Sequence, residues 1–411
     1  MNLIFLTLAR IENIEQRGIY SDLMRKFRDE GHQVYIVCPC ERRLGMKTSL
    51  IESYGVHILN VKTLNIQKTN IVEKGIGTLL LEYHFKHAIK RYLKGIKFDL
   101  ITYSTPPITF TNVVNYLKKQ NPQAISYLQL KDIFPQNAVD IGMLSVSSLL
   151  YKYFRKKEID LYKASDYIGC MSPANVRFVL DHNDYICADR VEVAPNSIEL
   201  CNKKEPLAGQ ENAEKCYIRK KYGLPIDKPI FIYGGNLGRP QGIDFLIRCL
   251  NAIRNRLDCY LVIVGSGTEF EKVNNWYNHV KKSDTNNEMN VKVMHGLPKA
   301  DYDMLVKYCD VGLIFLDHRF SIPNYPSRLL SYLENKMPII CATDINTDIG
   351  SIAQKNGYGF WCESKDPADF VVLVDKMLQS DIKRMGQKGY EFLCQHYLVE
   401  HTYKAIMSHL V

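Results

Sequence analysis

The stretch Pro229-Ile-Phe-Ile-Tyr-Gly-Gly-Asn-Leu-Gly-Arg-Pro-Gln-Gly242 decides the fold. Pro229–Gly234 is a compact apolar run of strand type, and Gly242–Arg256 carries apolar residues at helical spacing. Between them, the glycines allow the backbone to approach a ligand closely. The helix opening near Gln241 offers free amides and the positive end of its dipole to a phosphate. Arg239 adds a cation with bidentate reach. A tight turn that binds nothing needs the same glycines, so the stretch takes its meaning from its neighbours.

Two further loops have the same setting. Val264-Gly-Ser-Gly-Thr-Glu269 follows the strand-like Cys259–Val264, placing Gly265 and Gly267 at another strand end. It lacks the full GxGxxG spacing, which argues against a nicotinamide site. Pro323-Asn-Tyr-Pro-Ser-Arg-Leu-Leu-Ser-Tyr-Leu-Glu334 precedes the strand Met337–Ala342. Pro326 suits a first helical turn. The amides of Ser327, Arg328 and Leu329 are then expected to lack intrahelical partners. With the Arg328 guanidinium they form a candidate diphosphate site. Ser331 or Glu334, one turn on, can reach a ribose hydroxyl.

Working outward, strands alternate with helices in both halves. Asn2–Leu8, Gln33–Cys38, Val56–Val61, Asp99–Tyr103, Ala124–Leu130, Asp166–Met171 and Val191–Ala194 read as strands of the first half. Gly18–Glu30 and Gly77–Lys94 read as helices between them. After a polar break, placed as a linker over Pro195–Glu214, the pattern restarts and continues through Asn290–Met294, Val311–Leu316 and Gly357–Trp361. Such alternation implies parallel sheets covered on both faces. The expectation is an α/β protein of two Rossmann-like doubly wound domains facing each other across a cleft. Their ranges are 1–200, 215–390, and a C-terminal helix over 391–411. Ligands of open α/β sheets sit outside the strands' C-terminal ends.

On the first half, the polar connection Arg10–Gly18 follows the first strand, making Arg17 and Gly18 candidates on the acceptor side. Asp132, in Leu130-Lys-Asp-Ile-Phe-Pro135, stands at another strand end as a base toward, or a ligand of, an acceptor hydroxyl. A capping carboxylate has the same signature. Asp301-Tyr-Asp303 matches a metal-holding DxD pattern, but it opens a helix, where the dipole alone favours acids. His84, His87 and His182 show no metal-ligand spacing. No metal ligand set is expected.

The 411 residues suffice for two domains, and 46% apolar with 24% charged residues is ordinary for a globular chain. The net charge of +9 fits phosphate-bearing partners or an anionic membrane surface; no nucleic-acid signature accompanies it. Basic residues gather on Gly77–Lys94 and at Lys152, Arg155, Lys156 and Lys157; solvated helix faces explain them equally well. The 12 cysteines are scattered without a CxxC pair and read as reduced thiols. No apolar run approaches the roughly 20 residues of a membrane span. The N-terminus reads as a buried strand rather than a leader. A cytoplasmic protein is expected, at most peripheral at the inner face of the membrane.

Taken in order, Gly-Gly-Asn-Leu-Gly-Arg-Pro-Gln-Gly, Val-Gly-Ser-Gly-Thr-Glu and Pro-Ser-Arg-Leu-Leu-Ser-Tyr-Leu-Glu before Pro338-Ile resemble the donor loops of family 4 retaining glycosyltransferases of the GT-B fold. The likeness runs over nearly the whole chain. It is strongest to bacterial enzymes of capsule, exopolysaccharide or O-antigen assembly; Ile14-Glu-Gln-Arg-Gly-Ile-Tyr-Ser-Asp-Leu and Asp132-Ile-Phe-Pro fit that subgroup. The resemblance implies metal-independent hexosyl transfer with retention. The donor, a UDP- or GDP-linked sugar and a substrate rather than a cofactor, would lie on the C-terminal domain at Gly235, Asn236, Leu237, Gly238, Gln241, Gly265, Gly267, Pro326, Ser327, Leu329, Ser331 and Glu334. Asp132, Arg239 and Arg328 would act in catalysis. The acceptor would be a saccharide or a saccharide linked to a polyprenyl diphosphate. The chain also departs from the family. Asn236 and Gln241 stand where many members have Arg and Lys. Pro323 and Ser331 stand where members have glutamates eight residues apart. An epimerase of the same fold and a non-catalytic nucleotide-binding homologue are the alternative readings.

Overall fold

The computed structural model describes residues 1–66, 69, 71–200, 210–284 and 289–410. The central part of the expected linker, 201–209, lies outside the described residues. The chain divides into two compact units, Met1–Glu199 with Tyr397–Val411, and Leu200–His396.

In the first unit the strands are β1 (Asn2–Leu6), β2 (Gln33–Glu41), β3 (Ser49–Ser53), β4 (Val56–Thr63), β5 (Leu100–Ser104), β6 (Ile125–Leu130), β7 (Tyr167–Cys170) and β8 (Val191–Val193). They form one sheet in the order β3-β4-β2-β1-β5-β6-β7-β8. All neighbours pair in parallel except β3 with β4. That hairpin was not expected. Tyr54 and Gly55 both take positive φ, 48° and 77°, in the two-residue connection, the turn geometry that matches the twist of a hairpin. The helix between β4 and β5 runs Ile71–Tyr92, starting six residues before the expected Gly77. Gly77 falls inside it because a Cβ there would press to 3.3 Å on Leu64, Asn65 and Ile66.

The second unit contains β9 (Ile230–Asn236), β10 (Tyr260–Ser266), β11 (Val291–His295), β12 (Val311–Phe315), β13 (Ile339–Thr343) and β14 (Gly359–Glu363). The order is β11-β10-β9-β12-β13-β14, parallel throughout. Every residue of β12 and β13 is buried, as strands covered on both faces must be. Phe231, Tyr233, Leu246, Leu250, Phe315 and Phe370 pack among the core residues of this sheet. Arg219 is also buried; it pairs with Asp310 at 2.6 Å and donates to the carbonyls of Tyr308 and Lys228.

Each unit is doubly wound. The order of winding reverses between β1 and β5 in the first sheet and between β9 and β12 in the second. A crevice outside the carboxyl ends of the strands is expected at each reversal. The C-terminal helix Val399–Met407 belongs to the first unit. Tyr403 stacks edge-on against Phe27 at 4.9 Å and bonds His32 at 3.0 Å. Helix Ile382–His396 stays with the second unit, so the chain rejoins the first unit at Tyr397, six residues after the expected boundary at 391.

Candidate functional site

At the reversal of the second sheet, the C-terminal end of β9 meets the first side chain of helix Arg328–Glu334. The Arg328 guanidinium carbon lies 4.3 Å from the centre of the Tyr233 ring. Its Nη1 is buried and has no hydrogen-bond partner. Among the described residues no carboxylate pairs with it. The guanidinium lies 3.5 Å from where a Cβ of Gly235 would stand. Gly235 is exposed and holds φ at 124°. The loop thus leaves a cation beside solvent that any larger residue at 235 would cover. A buried donor without a partner costs about 1–3 kcal/mol, and an anionic ligand would remove that cost.

The surrounding backbone is built to hold this shape. The Tyr233 hydroxyl donates to the Asn236 carbonyl at 2.6 Å. Gln241 Oε1 accepts from Asn236 Nδ2 and from the Gly238 amide, both at 3.1 Å. Asn236 and Gln241, expected to face a ligand, are therefore tied to each other and to the loop. The Leu237 side chain is buried. Its amide donates to Ser266 at 2.9 Å and its carbonyl accepts from Glu269 at 2.9 Å. Gly265 and Gly267 meet the first loop directly. A Cβ on Gly265 would collide with the Gly235 carbonyl, and one on Gly267 with the Leu237 carbonyl. Their glycines are explained by loop-to-loop packing. Gly234 is required by the Tyr302 ring, and Gly312 by Tyr332.

The third loop differs from its expectation in one respect. The helix starts at Arg328, with Ser327 as its cap and Pro326 in the preceding turn. The Leu329 amide donates to the Pro326 carbonyl at 3.2 Å, and the Leu329 side chain is fully buried. Leu329 is thus used by the fold. Among the described residues no acceptor meets the amides of Ser327 or Arg328. Ser331 and Glu334 are half-buried on the same short helix. Arg239 is 60% exposed, with Glu269 3.7 Å away, so it keeps freedom to reach a ligand. Asp301 and Asp303 pair with Lys221 and Lys299, both at 2.9 Å. Asp301 lies in the first turn of helix Lys299–Lys307, where the dipole favours an acid.

One brace escaped the sequence reading. Asp344, fully buried just beyond β13, accepts from the amides of Asn346 (2.9 Å) and Thr347 (2.7 Å) and from the Thr347 hydroxyl (2.9 Å). Thr347 Oγ1 in turn accepts from the Asn324 amide at 2.9 Å, and Asn346 Nδ2 donates to the Phe320 carbonyl at 2.7 Å. The turn after β13 thus fixes the chain leading into Arg328. Burial pushes the Asp344 carboxyl up to about 6. An Asp at a strand end followed by Asn and Thr was the available signal.

At the first sheet's edge, Asp132 follows β6. Asn137 Nδ2 donates to its Oδ1 at 2.7 Å, and the Lys131 and Asp132 amides donate to Thr105 Oγ1 at 2.9 and 3.2 Å. Burial pushes the Asp132 carboxyl above its ordinary range, while the Asn137 bond opposes the shift. Its neighbour Lys131 went unnoticed in the sequence. Its Nζ donates to the Ala194 carbonyl at 3.2 Å, and burial lowers its pKa to about 7. Arg17 and Gly18 are committed elsewhere: Arg17 donates to the Glu199 carbonyl at 2.6 Å, and the Gly18 amide to Asp22 at 2.9 Å. Arg25 ties that loop down through Asp22, Glu199 and the Ile14 carbonyl.

Residues 215–392 match the family described as glycosyl transferases group 1. The match lies within the second unit, and the chain has the GT-B fold. Among curated proteins it is similar to a probable glycosyltransferase, WbjE, of Pseudomonas aeruginosa. Identity is 22% over 340 residues, covering 80% of this chain and 78% of the relative. Among solved structures it is similar to the sucrose-phosphate synthase of Thermosynechococcus elongatus (TM-score 0.73, 14% identity, 99% and 98% of the two chains covered). It is also similar to HepE of Anabaena, solved in complex with UDP (TM-score 0.68, 13% identity, 100% and 99% covered).

Proposed function

We propose that the protein moves a hexosyl group from a UDP- or GDP-linked donor on the second unit to a saccharide acceptor on the first, with retention at the anomeric carbon and without a metal ion. We infer further that the acceptor is linked to a polyprenyl diphosphate. The product would then enter a surface polysaccharide, such as capsule, exopolysaccharide or O-antigen, with the enzyme working in the cytoplasm at the inner face of the membrane. The observation that carries the reading is the Arg328 guanidinium at the sheet reversal, whose buried Nη1 has no hydrogen-bond partner and which, among the described residues, no carboxylate pairs with. The UDP held by the HepE relative supports it.

Heterolysis of the donor's anomeric C–O bond adds one negative charge to the departing nucleoside diphosphate, which already carries two. Stabilisation aimed at charge that develops in the transition state is where catalysis gains most. Arg328 supplies a preplaced fork, the Ser327 and Arg328 amides point from the same helix start, and Arg239 closes from solvent. Asp132 orients the acceptor hydroxyl or takes its proton, and Asn137 holds the carboxylate for either role.

The test is product formation from UDP- and GDP-sugars with a polyprenyl-diphosphate-linked saccharide, followed by NMR of the new anomeric centre. The expected outcome is acceptor-dependent, EDTA-resistant transfer with retained configuration. Donor converted to its epimer without acceptor, or donor bound and never consumed, would overturn the reading.

A further inference from the structure

The first unit holds a cavity of about 90 Å³ that the transfer chemistry does not use. It lies against helix Leu149–Ala164, which connects β6 to β7, and helix Pro173–Asp181, which connects β7 to β8. It has room for about six waters or more, the bulk of one sugar ring. Tyr151, Tyr162 and Phe178 supply aromatic wall. The His182 ring stacks on Phe178 at 4.0 Å, and its Nδ1 donates to the Phe178 carbonyl at 2.9 Å. His182 is exposed, which places it at the rim.

The polar part of the wall is balanced in charge. Arg155 Nη1 donates to Glu158 at 2.6 Å, and Arg155 Nη2 donates to the His182 carbonyl at 2.9 Å and to Asn183 Oδ1 at 2.7 Å. The Tyr162 hydroxyl donates to the other Glu158 oxygen at 2.9 Å. Glu158 is buried with both oxygens bonded, so a cation meets no open carboxylate, and its charge offsets Arg155 against an anion. What stays open suits hydroxyl groups. Three of the five Arg155 N–H groups are engaged and the others are spare. The Tyr151 hydroxyl has no partner among the described residues. In the neutral His182 ring, Nε2 accepts because Nδ1 donates. A pyranose has hydroxyls that both donate and accept, and C–H faces that pack on aromatic rings. Aromatic walls with a few fixed polar groups are the usual make of a small-molecule site.

The cavity also touches the loop that carries Asp132. Of the four residues between Asp132 and Asn137, three line it: Ile133, Pro135 and Gln136. The fourth, Phe134, packs edge-on against Phe154 of helix Leu149–Ala164 at 4.9 Å. Asn137, which holds Asp132 Oδ1, is itself fixed by the bond from its amide to the Ile133 carbonyl at 3.1 Å. On its other side the loop is tied to Thr105, beyond β5. A ligand in the cavity therefore presses on the segment that sets the Asp132–Asn137 pair, from behind the loop.

We propose that this cavity binds one neutral sugar residue, and that its occupancy holds the Asp132 loop in place. The binding chemistry stands on the geometry of the first unit alone. Its purpose, control of the acceptor step by a saccharide, rests on the transferase reading.

The test is calorimetric titration of the full chain with free glucose, galactose, mannose and N-acetylglucosamine, and with sulfate as the anion control. At least one sugar should bind saturably, with a dissociation constant on the order of 1 mM for a ligand of this size; sulfate should not compete. His182→Ala and Tyr151→Ala should each weaken binding by about fivefold, with melting temperatures near that of the wild type. Tyr151→Phe keeps the ring and serves where Ala unsettles the fold. Tyr217→Ala, exposed on the second unit, should change nothing. The native Trp276 and Trp361 belong to the second unit. An emission change seen with Tyr151→Trp and not with the wild type therefore locates the sugar in the first unit. Hydrogen exchange of the Asn137, Ala138 and Val139 amides should slow when the sugar is bound. Absence of saturable binding would overturn the proposal. So would binding that leaves the Tyr151 and His182 variants and the Trp reporter unchanged, or competition by sulfate. Unaltered exchange in the loop would overturn its second half. None of these readouts needs donor or acceptor. Failure here leaves transfer intact, whereas a sugar bound in this cavity without transfer to any acceptor would sink the transferase reading alone.

Discussion

Replacing Arg328 by Met separates a ligand-binding cation from a structural one. Two effects on stability oppose each other. The variant loses a desolvated cation–π contact with Tyr233, at 4.3 Å, worth about 2 kcal/mol. It also removes a buried donor without a partner, a relief of about 1–3 kcal/mol. The net change should stay within about 1 kcal/mol, or some 2–4 °C in Tm for a domain of this size. Donor binding has no such compensation. A charge-assisted bond to a diphosphate is worth about 1.5–3 kcal/mol, so nucleotide affinity should fall roughly tenfold to a hundredfold. Turnover, in which the leaving charge is larger, should fall by about 10²–10³. Arg328→Lys keeps the charge without the fork and should fall between Met and wild type. Calorimetric titration with nucleoside diphosphate, initial rates and a melting curve on each variant provide the check. Unchanged affinity in Arg328→Met would refute the diphosphate role. A Tm loss of about 10 °C or more would show that Arg328 serves the fold instead.

Three other variants test the surrounding construction. Gly265→Ala should destabilise the second unit by about 1–3 kcal/mol, as overpacking does, because its Cβ meets the Gly235 carbonyl; urea unfolding measures this, and a neutral result would mean the two loops are not locked together. Asp344 has a folded pKa of about 6, above its ordinary value, so the folded state holds an extra proton between roughly pH 4 and 6 and stability from this group falls as pH rises through that window. Asp344→Asn, which keeps the shape, should therefore gain stability above pH 6, by up to about 3 kcal/mol, and little at pH 4; melting curves at the two pH values decide it. Asp132→Asn should lower turnover by about 10²–10⁴ while leaving nucleotide affinity unchanged, and the raised carboxyl predicts that wild-type activity climbs with pH on the acid side; full activity in the variant would restrict Asp132 to holding its loop.

The doubly wound layout was legible because parallel strands buried on both faces are short continuous apolar runs, and because each is followed by a helical repeat. β3 escaped because Ser49–Ser53 is an edge strand facing solvent, and its turn is Tyr54-Gly55 rather than an Asn-Gly pair. At the site, the three loops and Arg328 were visible as strand-end motifs. What the loop residues do was not. Gln241 and Asn236 spend their polar groups on each other, and Gly265 is small because Gly235, thirty positions earlier, lies against it. Contacts between loops from different strands leave no periodic trace along a chain. For the same reason the Asp344 brace and the burial of Lys131 emerged only from the fold.

The most direct measurement of the central claim is the melting temperature of the full chain with UDP, GDP, CDP and ADP, each with and without EDTA. At about a hundred times Kd, a ligand adds roughly 2.7 kcal/mol, enough for a rise of several degrees. The account predicts such a rise with UDP or GDP, unchanged by EDTA and cut to about half or less in Arg328→Met. No rise with any of the four, or one that EDTA abolishes, would contradict it.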